Sequence, residues 1–345
     1  MKQQEQSLLS PVQPSAASLN GKRFMHPRIK QVIDAVRAAV YPGSQDNLIA
    51  ICGPTGVGKT TLTRYLVEKQ LEESVIEMDA NPGMIPAIYV EAPASGEDEF
   101  SWRLFYQRIL AQLGDDMDVP KSAYGVDQHT GRMVRPYGGR GGGLAALRSG
   151  VERALDEREV KFVVIDEAAH IIRQTSRRKL PIQLDTLKSL ANGGTQMVMV
   201  GSYDLHQLMA LSGQLTRRTH VIHFERYRED CPEDVNAFNA GLRSFQKVLP
   251  HLWGNDQLMP YAQALLSNTL GCIGTLSAVL SRAARLAEVD GKWSVHALER
   301  ALLNETQHRQ ILSEILDGEA EIRPSLTREM PVIRRSTLRR DRSVA

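Results

Sequence analysis

Glycines, a lysine and a hydroxyl fall within eight residues of one another, Gly53-Pro54-Thr55-Gly56-Val57-Gly58-Lys59-Thr60, and together they suit a triphosphate. Such a ligand needs many hydrogen-bond donors and positive charge held close. Glycines at 53, 56 and 58 let the backbone curl so that its N–H groups point inward. A helix opening near Lys59 presents its positive dipole end to the same place. Lys59 then reaches the β- and γ-phosphates, and the Thr60 hydroxyl holds Mg²⁺.

A second group lies about a hundred residues on, in Phe162-Val163-Val164-Ile165-Asp166-Glu167. Four apolar residues followed by two acids predict a buried strand with carboxylates at its C-terminal end, beside the strand that feeds the Gly-rich loop. Asp166 is expected to contact Mg²⁺ through water, and Glu167 to polarise an attacking water as general base. The acidic pair argues for hydrolysis and against a small kinase. Ser202 ends another apolar run, and two readings stay open: it orients the attacking water, or it is an ordinary turn residue. Arg217 and Arg218 precede a further strand; either one completes a neighbouring subunit's site, or both are surface residues capping a helix.

Positioning these residues requires strands alternating with helices. Helical spacing is present in 27–40, 60–73, 100–113, 144–158 and 180–192, and short apolar runs at 48–52, 87–92, 162–165, 197–200 and 221–224 read as strands. That order predicts a parallel sheet with right-handed crossovers. After about Arg226 only helical patterns follow, at 235–248, 259–268, 275–288 and 295–304, so a second, all-α unit is expected. Residues 121–143 form an irregular, Gly-rich insertion carrying Lys121, Arg132, Arg135 and Arg140 against Asp127 alone.

Composition narrows the classes. A 345-residue chain with 42% hydrophobic and 24% charged residues suits a globular protein with more than one unit. No run approaches the roughly 18 apolar residues of a membrane span, and the N-terminus has no apolar segment of a secretory signal. Residues 1–25 read as a polar arm, disordered until something binds it. Cys52, Cys231 and Cys272 stand far apart, which argues against zinc or disulfides and for a reducing, cytoplasmic setting. Net charge is only +2, but from Arg323 to the end seven arginines face Glu329 and Asp341, as either a solvated tail or a contact for nucleic acid or an acidic partner.

In this order the motifs resemble an AAA+ ATPase, and within that class the TnsC/TniB type of transposition regulator. The residues that carry the likeness are Gly53 to Leu62, Val164-Ile165-Asp166-Glu167-Ala168-Ala169-His170, Val198 to Leu205 and Gly271-Cys272-Ile273-Gly274-Thr275-Leu276. The resemblance implies an α/β AAA+ P-loop NTPase with a five-stranded parallel sheet in an α/β/α sandwich and a C-terminal all-helical lid. It divides the chain into an arm (1–25), an ATPase core (26–228), a lid (229–308) and a basic tail (309–345). Nucleotide would be held by Gly53, Pro54, Thr55, Gly56, Val57, Gly58, Lys59, Thr60, Thr61 and Asp166. It further implies homo-oligomeric rings or filaments on double-stranded DNA in the bacterial cytoplasm, linking a TniQ/TnsD-type target selector to a transposase, with no membrane partner. Hydrolysis of ATP would drive disassembly. The insertion at 121–143 either faces the duplex or is a flexible surface segment. One departure is plain: the Gly-x-x-Arg that many AAA+ lids carry reads Gly271-Cys272-Ile273-Gly274 here, and Arg282 and Arg285 lie too late on that helix to replace it well. A signalling or defence ATPase and a helicase-loader or replication-initiator relative are the competing readings.

Overall fold

The computed structural model describes residues 15–19, 22–40, 48–94, 99–114, 125–126, 133–134, 143–173, 180–191, 194–206, 219–253 and 257–322. Five parallel strands form the central sheet: β1 (Leu48–Cys52), β2 (Ala87–Glu91), β5 (Phe162–Asp166), β6 (Gln196–Gly201) and β7 (Thr219–His223). Their spatial order is β2-β5-β6-β1-β7. Every residue of β1 is buried, as expected of a run of Leu, Ile, Ala, Ile and Cys covered on both faces.

Two helical layers cover the sheet. Against one face pack α4 (Trp102–Gln112), α5 (Leu144–Glu157) and α7 (Leu180–Ala191), with Phe105, Ile109, Val151 and Leu187 fully buried. Against the other lie α1 (Pro27–Ala39) and α2 (Lys59–Glu73), through Ile29, Val32, Val36 and Leu62. The short helices α3 (Val75–Ala80) and α6 (Ala169–Arg173) follow α2 and β5. Within the Gly-rich insertion a two-residue pair, β3 (Gly125–Val126) and β4 (Met133–Val134), runs antiparallel.

The second unit is helical: α8 (Pro232–Gln246), α9 (Pro250–Trp253), α10 (Ala262–Asn268), α11 (Ile273–Val289) and α12 (Val295–Ala301). Its core is built on Phe238, Phe245, Trp253, Leu265 and Leu280. Two features differ from the sequence expectation. The end of the supposed arm, Ala16–Leu19, is a 3-10 turn whose Leu19 is only 1% exposed inside the lid core. Burying one leucine is worth about 2 kcal/mol, enough to anchor a short segment. A last helix, α13 (Glu305–Ile322), continues into chain read as the basic tail and returns from the lid to the sheet, where Ile315 is buried. Residues 1–14 and 323–345 lie outside the described residues. No described helix is long and apolar enough to cross a membrane.

Core and lid are joined by charge. Arg28 at the start of α1 donates to both carboxylate oxygens of Asp234 on α8, each at 2.8 Å, and lies 3.5 Å from Glu225. The side chains of Arg28 and Asp234 are 18% and 9% exposed, so this bidentate pair is weakly screened.

Candidate functional site

The Gly-rich loop leaves the buried end of β1 and enters α2 with Gly56 and Gly58 at φ of 81° and 114°, conformations that side chains with a Cβ rarely adopt. Gly53 is small for another reason. A Cβ there would sit 2.6 Å from the Phe224 carbonyl oxygen, so the first glycine permits close packing against the chain after β7. Lys59 folds back over the loop, its Nζ donating to the carbonyls of Gly53 at 3.0 Å and Pro54 at 2.8 Å. Burial pushes its ammonium below the usual lysine range; the Glu167 carboxylate pulls the other way, ahead of Asp166. Lys59 is therefore within electrostatic reach of both carboxylates.

The acidic strand end is not beside the loop strand, as the sequence led us to expect. β6 lies between β5 and β1, because chain order does not reveal which crossovers skip a place in the sheet. The ends are nonetheless tied: Gly53 N–H donates to the Gly201 carbonyl at 3.3 Å, and Ala168 N–H to the Val200 carbonyl at 3.0 Å. Ser202, immediately after the middle strand, thus follows directly on the bond that joins that strand to the loop.

Asp166 is 2% exposed and fully engaged. Its Oδ1 accepts the Glu167 N–H at 2.9 Å, and its Oδ2 accepts the Tyr89 hydroxyl at 3.2 Å and lies 3.5 Å from the Thr63 hydroxyl of α2. Burial and then Asp166 raise the Tyr89 phenol to about 12, so it remains a donor. Glu167 has φ of 50°, a left-handed conformation that costs on the order of 1 kcal/mol or more for a residue with a Cβ. Ser202 donates to Asp204 at 2.9 Å and accepts from Arg173 of α6 at 3.2 Å; Arg173 is also ion-paired with Asp204.

On the opposite side of the loop a cavity of about 280 Å³ lies between core and lid, lined among others by His26, Val57, Thr60, Thr61, Arg64 and Phe245. The lid meets the loop there with backbone. Thr275 N–H, in the first turn of α11, donates to the Gly56 carbonyl at 3.0 Å, and a Cβ on Gly274 would lie 2.6 Å from that oxygen. The Gly274 that stands where an arginine was missed is what permits this approach. Arg282 donates to the Ala301 carbonyl at 3.2 Å, a contact internal to the lid.

His26 borders the cavity. The Tyr227 hydroxyl accepts Arg28 N–H at 3.4 Å, which leaves its proton for His26 Nδ1 at 2.9 Å. Burial, then Arg28, lowers the His26 pKa from 6.5 to about 4, so the ring is neutral. The unfolded chain takes up this proton first on acidification. The stability His26 contributes is therefore complete above pH 6.5 and lost as pH falls through about 4. Denaturant midpoints followed from pH 7 to 4 should fall less steeply in His26→Gln than in the natural chain; parallel curves would refute this assignment.

Arg217, Arg218, Lys121, Arg132, Arg135 and Arg140 lie outside the described residues. The sequence did not single out Tyr89, His26, Arg173 or Asp204. Tyr89, an aromatic inside a predicted strand, and Asp204, inside the run Val198 to Leu205, carried the only signals.

Comparison with known proteins agrees with this geometry. Residues 42–209 match the AAA domain family. No curated protein matches the chain. Among solved structures, the ADP form of ORC2 from Aeropyrum pernix is similar with a TM-score of 0.56 and 14% identity, over 83% of this chain and 71% of that one. Cdc6p from Pyrobaculum aerophilum follows with a TM-score of 0.52 and 15% identity, over 80% and 67%. At such identities the likeness concerns fold. Loop, acidic strand end, sheet order and helical lid agree with the family match: residues 42–209 are similar to an AAA domain, and the chain has the AAA+ P-loop fold.

Proposed function

We propose that this chain is an ATP-hydrolysing switch that assembles on duplex DNA and serves as a TnsC/TniB-type regulator of transposition. The observation that carries the ATPase reading is a buried Lys59 folded over the Gly-rich loop, within electrostatic reach of Glu167 and Asp166, with the lid hydrogen-bonded to the same loop. In this reading Lys59 leaves the Gly53 and Pro54 carbonyls for the β- and γ-phosphates, and the cavity beside His26 takes the base. Thr60 and Asp166 offer a hydroxyl and a carboxylate, an oxygen-only set that fits Mg²⁺. When bound, that ion neutralises phosphate charge. Glu167 accepts the proton of the attacking water, and Ser202, held by Asp204 and Arg173, orients it.

Arg217 or Arg218 completes the site of a neighbouring subunit, which makes turnover depend on assembly. Lys121, Arg132, Arg135 and Arg140 contact duplex phosphates, giving sequence-tolerant and salt-sensitive binding. The ATP-set platform then joins a TniQ/TnsD-type selector to a transposase. A second reading, a replication-initiator-like ATPase, is favoured by the fold likeness to ORC2 and Cdc6p. That ORC2 was also solved as ADPNP–ADP complexes, which supports an adenine nucleotide here.

Electron microscopy of the full chain with duplex DNA, with and without a non-hydrolysable ATP analogue, tests the proposal. Rings or filaments that need both nucleotide and DNA are expected. Monomers under all conditions would overturn it. Recruitment of a transposase to those assemblies separates the first reading from the second.

A further inference from the structure

We infer that Tyr203 is a positioning residue for Ser202, and that the C-terminal helix α13 is the element that holds it in place. The inference rests on the reading of Ser202 as the residue that orients the attacking water.

Tyr203 is the next residue in the chain, and its ring is 8% exposed. Across one face lies Gly318 of α13: a Cβ there would come within 2.1 Å of Tyr203 Cγ and Cδ2. Glycine in the interior of a helix costs about 1 kcal/mol relative to alanine. The cost is offset here because only glycine lets the helix lie flat on the ring. At the other end the Tyr203 hydroxyl is 3.1 Å from His223 Nε2, at the end of β7. Burial raises the phenol far above the usual tyrosine range, with Glu319 adding to it, so this hydroxyl keeps its proton. The residue after Ser202 is thus gripped from two elements that are remote in sequence.

The helix packs more loosely elsewhere, through the partly buried Ile311, Leu312 and Ile322. Of the residues of α13 only Ile315 and Gly318 are buried, one on the sheet and one on Tyr203. Its register is set by Glu319, which accepts from Arg226 Nε at 2.9 Å; both side chains are about 15% exposed, at 15% and 14%. A cavity of about 320 Å³ is lined by Pro54, Thr55, Ser202 and Asp204 together with Glu314 and Asp317 of α13. The helix therefore stands at the Ser202 end of the loop, away from the cavity beside His26. A displacement of about 1 Å at a group that orients a reactant costs up to about 100-fold in rate, while binding made elsewhere is untouched.

The test measures ATP turnover and nucleotide affinity separately in the full chain. Ser202→Ala sets the scale and should lower kcat by about 10-fold or more. Gly318→Leu and Tyr203→Phe should each lower kcat by at least about threefold with nucleotide Kd within about twofold. Arg226→Glu and Glu319→Arg should each lower kcat, and the double exchange should restore it. If Ser202→Ala alone lowers kcat, with the other variants at the natural rate, α13 does not position the site. If Kd rises as kcat falls and the double exchange does not recover, the helix only supports the fold. If Ser202→Ala itself leaves kcat unchanged, the underlying reading of Ser202 fails and takes this inference with it.

Discussion

Lys59→Ala is expected to weaken ATP binding by about 100-fold or more. The ammonium is inside the loop, donating to two carbonyls while burial works against its charge and Glu167 supports it. A triphosphate offers this cation a better partner than neutral carbonyls do. Charge-assisted hydrogen bonds contribute about 1.5–3 kcal/mol each, so losing those to the β- and γ-phosphates removes about 3 kcal/mol or more. Arginine should not rescue, because a planar guanidinium does not fit the tight turn that the Gly53 and Pro54 carbonyls close around a single nitrogen. Titration with a fluorescent ATP analogue reads the affinity, and a thermal shift provides a second readout. ATP at about 100 times its natural Kd stabilises the folded state by about 2.7 kcal/mol, most of which Lys59→Ala should lose. Affinity within about threefold of the natural chain would remove the lysine from the phosphate site.

What could be read from the chain was what is local. The Leu48–Cys52 strand and the positive-φ glycines at 56 and 58 follow from a buried apolar run and a tight turn, both set within a few residues. The five strands were found for the same reason. Their order was not, since a parallel crossover leaves no mark of which neighbour it reaches, and β6 therefore came between the two halves of the site unannounced. Helix α13 is polar along most of its length and has a glycine inside it, which reads as a breaker until Tyr203 is known to lie against it. Ala16 and Leu19 are too sparse to show a period, and their burial depends on a lid core assembled from residues far along the chain. Gly53 was assigned to curling the loop, and instead makes room for Phe224.

The missing lid arginine bears on how nucleotide state would reach the lid in the proposed switch. A guanidinium would couple the two through charge on the ligand. Here the Gly56 carbonyl accepts a hydrogen bond from the first turn of α11, and Arg28 clasps Asp234 across the other edge. Gly271 fixes the same connection: at φ of 73° its Cβ position lies 1.8 Å from the Tyr227 carbonyl oxygen, so no larger residue fits. Any rearrangement of the loop around phosphates moves the acceptor to which the lid is bonded. In the proposed reading the coupling would run through this backbone bond.

Glu167→Gln is expected to lower turnover by about 100-fold or more while ATP stays bound, so that the assembled state persists. The side chain is placed by a left-handed backbone at φ of 50°, with its own N–H held by Asp166 Oδ1 at 2.9 Å. Glutamine keeps the size, the backbone and that hydrogen bond, and removes the negative charge and with it the ability to take a proton. Asp166 is a poor substitute as a base. Its Oδ1 and Oδ2 already accept from Glu167 N–H and Tyr89, and it is almost fully buried. Nor does the change remove the cation that binds phosphate, because Lys59 is untouched, although it loses the carboxylate that most favours its charge. Retention of ATP is therefore expected to match or exceed that of the natural chain, whereas Lys59→Ala loses it. Turnover of pre-bound ATP, followed together with the persistence of DNA-bound assemblies after free nucleotide is removed, separates the two roles. Turnover within about threefold of the natural rate would take Glu167 out of the reaction; loss of bound ATP at the natural rate would mean that hydrolysis does not time disassembly.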